Sequence, residues 1–419
     1  MRTLFVYADF DWMEAPVLIG ELSYDLLRGS DYYLFKYDDN WLGKYGNLFL
    51  SEDIRNYPGP QYTQPDKDIF GCFSDALPDR WGRLLLNRRE QIKATQEQRP
   101  ARRLSSFDYL TGIDDYSRIG GFRFKTVQNG DFINTETPLK IPPLTDLRSL
   151  VVASQHIEKS EAMNQMPEIR WINQLVRPGS SLGGARPKAG VISPDRQLFV
   201  AKFPSRLDDY DVALWEHHSH LLARQAGIFS AETKVLSTEK KFHILLSKRF
   251  DRSDQGRRIH FASAMTLLGL TDGCNAQTGN GYLDIVSFII QHCCDVEKNL
   301  RQLYRRVAFN IAIGNSDDHF RNHGFLLTPR GWTLSPAYDM NPTHNEYQSL
   351  LINSSTQLAD LEALLNSAEE YMINKDEANV IIHEVTHAVQ GWKSLAKQLG
   401  ITQKEINLFE PVYRRSLSR

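Results

Sequence analysis

The 419 residues carry 49 Lys and Arg against 51 Asp and Glu, a formal net charge of -2, with 41% hydrophobic and 24% charged residues. A chain of this length buries a large core and is expected to divide into two or three domains. Its balanced charge excludes a strong nonspecific grip on DNA by this chain alone, and no apolar stretch is long enough to span a bilayer, so no membrane association is expected.

In chain order, Met1 to Asp11 lacks a signal-peptide profile, and the four cysteines, Cys72, Cys274, Cys293 and Cys294, have no metal-like spacing. Both features suit a reducing cytoplasm. A first strand-rich subdomain ends near Val127, and the Thr- and Pro-containing stretch from about Gly130 to Pro143 reads as a connection. The expected division is therefore residues 1–128, an amino-terminal subdomain, residues 129–255, an α/β part, and residues 256–419, a largely helical part.

Gly179 to Lys188 (GSSLGGARPK) is rich in small residues and precedes the apolar run Ala189 to Ile192. Glycines such as Gly183 and Gly184 let backbone amides approach an anion, and Lys188 adds charge at the far end. The plainer reading is a turn between strands. The turn Pro194 to Gln197 leads into Leu198 to Lys202, whose alternation suggests a strand carrying Lys202 toward a phosphate-binding site. Asp208 and Asp209 are placed to cap a helix from about Tyr210 to Ala226, closed by Gly227, with Glu216 as the candidate partner of Lys202. Phe242 to Lys248 reads as a buried strand that runs into Arg249, Phe250, Asp251 and Arg252, where a two-lobed kinase reads the adenine edge of ATP.

Leu300, Leu303, Tyr304, Val307 and Ile311 recur at helical spacing, and Gly314 stands where a left-handed cap ends a helix. The following segment, Asn315 to Asn322 (NSDDHFRN), sets Asp317 and Asn322 at the spacing of a kinase catalytic loop. One carboxylate there accepts a hydroxyl proton, and a carboxamide oxygen one short loop away ligates magnesium. Gly324 to Thr328 and Trp332 to Leu334 flank Pro329-Arg330-Gly331 as a hairpin, and Asp339 follows, in the kinase order where a second Asp binds metal. Asp318 and His319 read as braces or as further site groups.

His383-Glu384-Val385-Thr386-His387 matches HExxH, a zinc metallopeptidase motif with Glu384 as general base and Glu405 as a conceivable third ligand. The competing reading is an amphipathic helix whose Ile381, Ile382, Val385, Ala388, Val389 and Trp392 face a core while His and Glu face solvent. Cys293 and Cys294 read as buried helix residues.

Taken together, the motifs resemble the HipA family of serine/threonine kinases, the toxin half of HipA/HipB toxin–antitoxin pairs. Phe73 to Arg83 (FSDALPDRWGR) resembles that family's amino-terminal signature, Ser181 to Lys188 its phosphate loop, and Asn315 to Asn322 with Tyr338-Asp339 its catalytic and metal motifs. The resemblance implies an α+β, protein-kinase-like bilobal fold: a mixed α/β amino-terminal lobe with an extra subdomain, and an all-α carboxy-terminal lobe. It implies ATP and Mg2+ as cofactors, Asp317 as catalytic residue, Asn322 and Asp339 as metal ligands, and Lys202 as the ATP-phosphate lysine. Ser181 falls where some family members autophosphorylate, with Ser180 equally accessible by sequence. The implied partners are a HipB-like helix-turn-helix antitoxin, operator DNA reached only through that complex, and a protein substrate such as an aminoacyl-tRNA synthetase. A noncatalytic kinase-fold binding module is the remaining alternative; retention of Asp317, Asn322, Asp339 and Lys202 argues against it.

Overall fold

The computed structural model describes residues 1–27, 29–64, 67–135, 141–176, 186–238 and 242–418. They sort into two units: Met1–Leu207 with Lys248–Ala262, and Asp208–Ser247 with Ser263–Arg419. The divisions expected after residues 128 and 255 both fall inside the first unit.

In the first unit, strands β1 (Arg2–Ala8), β2 (Val17–Leu27), β3 (Ser30–Tyr37), β4 (Pro60–Tyr62) and β5 (Phe122–Lys125) form an antiparallel sheet of order β4-β3-β2-β1-β5. Register puts the apolar residues on one face: Leu4 lies opposite Leu22 and Leu22 opposite Phe35, while Val6 faces Phe124 and Ala8 faces Phe122. A slip of one residue would send this set to solvent, so the hydrophobic pattern fixes the pairing. Phe73, from the short helix Gly71–Ser74, covers that face, its ring 5.7 Å from Phe35 and 5.6 Å from Phe122.

Later parts of the unit are tied in by buried polar groups. Arg118 is fully buried and donates to the carbonyls of Ala76, Leu110 and Ile113, with Phe124 under its guanidinium. The segment 248–262 joins the same network. Arg249 donates to Ser117 O and Arg118 O, Arg258 pairs with Asp115 at 3.1 Å, and His260 stacks on Phe10 at 4.9 Å. Such charges survive burial because nearly every donor finds an oxygen. The hairpin of β6 (Lys188–Ile192) and β7 (Leu198–Lys202) also belongs here, with Lys188 directly opposite Lys202.

The second unit is mainly helical, with two hairpins, so its carboxy-terminal part is not purely α. One hairpin joins Thr233–Leu236 to Ile244–Lys248, and the other joins Gly324–Thr328 to Gly331–Leu334, as the sequence suggested. Helix Val212–Gln225 starts later than expected. Asp211 caps it, accepting from Leu214 N at 3.1 Å, in place of Asp208 or Asp209. Trp215 on this helix lies 4.5 Å from Phe409, and Trp392 stacks on Tyr413 at 4.2 Å. These rings hold the terminal helices Trp392–Gln398 and Gln403–Ser418 to the core. Helix Tyr282–His292 stops before the adjacent cysteines, so Cys293 is an extended cap residue and not part of a buried helix.

Candidate active site

Helix Val296–Ile313 delivers the site because one stripe of it is wholly apolar: Leu300, Leu303, Tyr304, Val307 and Ile311 are all fully buried. Each such side chain is worth roughly 1.5–3 kcal/mol when removed from water, so the helix end is a firm platform. Gly314 ends it at φ +71°, and a Cβ there would lie 2.4 Å from Val412 Cγ1. Both the left-handed backbone and the close approach of the last helix require glycine at this position.

From Gly314 the chain is pinned at successive backbone groups. Thr343 donates its N–H and its hydroxyl to Gly314 O, each at 2.9 Å, and Ser349 does the same to Ser316 O at 3.0 and 2.9 Å. Asp317 and Asp318 then diverge: Asp317 reaches solvent, whereas Asp318 is 3% exposed. Asp318 Oδ2 accepts from Tyr282 at 2.6 Å, Asn310 at 2.8 Å and His323 at 2.7 Å. Burial pushes the Asp318 carboxyl up, but His323 and these hydrogen bonds outweigh it and hold it below the usual range, keeping the group ionised.

Asn322 folds back on the loop, its Nδ2 donating to Asp317 O at 3.1 Å. A carbonyl oxygen can only accept, so the amide nitrogen must face it and Oδ1 remains available to a cation. Tyr338 ties the second motif to the first by donating to Arg321 O at 2.6 Å, one residue from Asn322. Its neighbour Asp339 adopts φ +57° and accepts from Asn341 at 3.3 Å. The Asp317 carboxyl is pushed above its ordinary value by partial burial and by the charges of Asp339 and Asp318, against an opposing pull from His319. Asp317 and Asp339 are thus near enough for each to feel the other's charge. Two oxygen donors and an adjoining carboxylate fit a hard cation such as Mg2+, which takes one or two protein ligands and completes its shell with phosphates and water. Among the described residues no group of three or more His, Cys, Asp or Glu side chains is arranged to hold a metal.

The other expected site residues are distributed as follows. Ser181, Gly183 and Gly184 lie outside the described residues. Lys202 ends β7 half-buried in the first unit, and Glu216 is buried on helix Val212–Gln225 in the second. Lys188 departs from the expected loop cation. Its ammonium lies 3.2 Å from Asp79, with both side chains almost fully buried. Asp251 departs similarly from a nucleotide-facing role: its carboxylate is taken up by Arg249, Arg252 and the Gly120 amide, while Phe250 beside it packs toward Phe261 at 5.9 Å. Although burial pushes the Asp251 carboxyl up, the two guanidiniums outweigh it and hold it low.

The HExxH residues lie on helix Lys375–Gln390, with His383 and His387 exposed and Glu384 paired to Arg305 at 2.7 Å. Glu405 instead accepts from the backbone of Asp211 and Thr402. Among the described residues, Glu405 and the two histidines form no group arranged to hold a metal. Sequence reasoning missed the Tyr282, Asn310 and His323 shell. Its one legible signal was two adjacent acids at the end of a buried helix, of which only one can face solvent.

A family model described as the HipA-like C-terminal domain matches residues 180–392, just over half of the chain. A putative kinase of Haemophilus influenzae is 26% identical over 199 residues, covering 41% of this chain and 57% of that protein. The serine/threonine-protein kinase toxin HipA of Shewanella oneidensis is 25% identical over 224 residues, covering 47% of this chain and 50% of that protein. The chain thus spans about half the length of the curated relatives it matches. Among solved structures, a chain of the Shewanella oneidensis MR-1 complex of HipA, HipB and operator DNA superposes with a TM-score of 0.69 at 18% identity, covering 99% of this chain and 95% of that one. The fold is therefore the mixed α/β fold of that structure, and the chain belongs to the HipA-like C-terminal domain family.

Proposed function

We propose that this chain is a serine/threonine protein kinase that transfers phosphate from ATP–Mg2+ to a protein hydroxyl. The observation that carries the reading is the loop in which Asn322 closes back on Asp317, next to the charge of Asp339. Asp317 orients the acceptor hydroxyl and takes its proton. Asn322 Oδ1 and the Asp339 carboxylate hold the cation, and Lys202 meets phosphate charge. ATP supplies the transferable phosphoryl group, whose loose transition state is stabilised mainly by positioning and electrostatics.

Within the same proposal, the acceptor is a translation component such as an aminoacyl-tRNA synthetase, a HipB-like antitoxin neutralises the kinase, and operator DNA is reached through that antitoxin. Ser181 is the proposed autophosphorylation site. Phosphate there adds about two negative charges to a loop that otherwise attracts ATP phosphates, and so inactivates the enzyme. The likeness in fold and the kinase names of the relatives support the reading. Incubation with labelled ATP and a lysate should mark a host polypeptide. Asp317→Ala should abolish labelling while keeping ATP binding, and Asp339→Ala should lose both. Undiminished labelling by either variant would refute the assignment.

A further inference from the structure

We propose that Asp318 is a positioning residue for phosphoryl transfer: one buried carboxylate oxygen gathers Tyr282, Asn310 and His323 and thereby fixes the loop that presents Asp317 and Asn322. The inference rests on the assignment of Asp317 above and extends it to a shell of residues that touch neither substrate nor cation.

The three donors come from three separate elements. Tyr282 opens helix Tyr282–His292, Asn310 lies in the last turn of helix Val296–Ile313, and His323 follows the short turn Phe320–Asn322. All three converge on Oδ2 between 2.6 and 2.8 Å. Tyr282, Asn310, His323 and Asp318 are each no more than 3% exposed. Charge-assisted bonds of this length in a dry site are strong and directional. Asn310 has no freedom to turn away, because its Oδ1 accepts from Asn315 at 3.1 Å, which leaves Nδ2 for Asp318.

Consecutive Cα atoms are about 3.8 Å apart, so fixing Asp318 fixes the backbone of Asp317. His323 performs the same service on the other side, being next to Asn322 in the chain. The hub therefore grips the catalytic segment at both ends. The start of the loop is held separately by Thr343 and Ser349 on Gly314 and Ser316. Loosening the hub should consequently free the stretch from Asp317 to Asn322 without unfolding the unit. Because a displacement of about 1 Å at a reacting group costs on the order of a hundredfold in rate, the effect should fall on turnover and spare nucleotide binding.

The test uses the full chain, with single-turnover transfer of labelled phosphate from ATP–Mg2+ to casein and to the chain itself, read as maximal rate and half-saturating ATP. Asp318→Asn should lower the maximal rate about a hundredfold and Tyr282→Phe about fivefold, with half-saturating ATP within about twofold of the parent. His323→Ala should behave like Asp318→Asn. His323→Gln, whose amide nitrogen can replace Nε2, should recover at least about tenfold of that loss. Circular dichroism melts identify any variant that fails to fold, and Tyr282→Phe, which removes one hydroxyl and keeps the ring, remains decisive if Asp318→Asn is among them. Folded Tyr282→Phe and His323→Ala with parental maximal rates would overturn the inference while leaving the kinase reading intact. Parental protein that transfers no phosphate would instead overturn the kinase reading and this inference with it.

Discussion

The Lys188 ammonium and the Asp79 carboxylate form a buried ion pair at 3.2 Å, joining the first residue of β6 to the cap of helix Arg80–Gln96. Lys188 stands opposite Lys202 in the β6–β7 ladder, so Asp79 offsets one of two like charges facing each other across the strands. Asp79 also accepts from Gly82 N at 2.7 Å, which satisfies an otherwise orphaned helix amide.

Removing either partner should be strongly destabilising, because the other is left as an uncompensated buried charge. Lys188→Ala should cost about 3–5 kcal/mol, and Asp79→Ala about 1 kcal/mol more through the lost cap. Chemical denaturation measures both. Negligible losses would contradict the pairing, and equal losses would remove the contribution of the cap. A Lys188→Met, Asp79→Leu double variant should recover much of the deficit, since apolar replacement of a buried pair is tolerated.

A pH effect follows from Glu90, whose carboxyl is drawn down to about 2 by hydrogen bonding from Arg99, outweighing the upward push of its surroundings. Its ordinary value is 4.5, so the native state holds the ionised form more tightly than the unfolded chain does. The associated stability is fully present above pH 4.5 and is lost as pH falls toward 2. Thermal melts between those limits should show a steeper loss for the parent than for Glu90→Gln. Parallel curves would remove Glu90 as a contributor.

The surface pair of Glu384 and Arg305 predicts a bland outcome for the HExxH helix. Glu384→Ala should change stability by less than about 1 kcal/mol, and metal analysis of purified protein should find no stoichiometric zinc. A zinc-dependent peptidase activity lost in Glu384→Ala would reverse this.

At Gly314, Gly314→Ala should cost about 1–2 kcal/mol for the left-handed backbone, with more from the clash with Val412. Adding Val412→Ala should return the steric part and leave the backbone part. If the double variant regains nothing, Val412 is not the obstacle.

Much of this was legible because local physics and tertiary context agreed. The apolar stripe from Leu300 to Ile311, the cap at Gly314 and the hairpin after Asn322 all follow from periodicity and turn chemistry, and each lies where it was expected. The cap of helix Val212–Gln225 was misplaced because Asp208, Asp209 and Asp211 are chemically alike, and only Asp211 presents its oxygen to Leu214 N. The fates of Lys188 and Asp251 were hidden for a different reason. Asp79, which takes Lys188, and Gly120, whose amide joins Arg249 and Arg252 on Asp251, lie more than a hundred residues away in the chain, and no local pattern marks a lysine or aspartate as interior. The Asp318 shell was invisible on the same ground, since Tyr282 belongs to another helix.

The contact between Gly314 and Val412 has a practical bearing on how the protein is handled. Val412 lies on helix Gln403–Ser418, beyond the stretch 180–392 that the family model spans, yet it props the residue from which the Asp317 loop departs. A recombinant fragment trimmed to residues 180–392 would discard that prop. Silence in such a fragment would reflect the missing buttress and would not test the proposed activity.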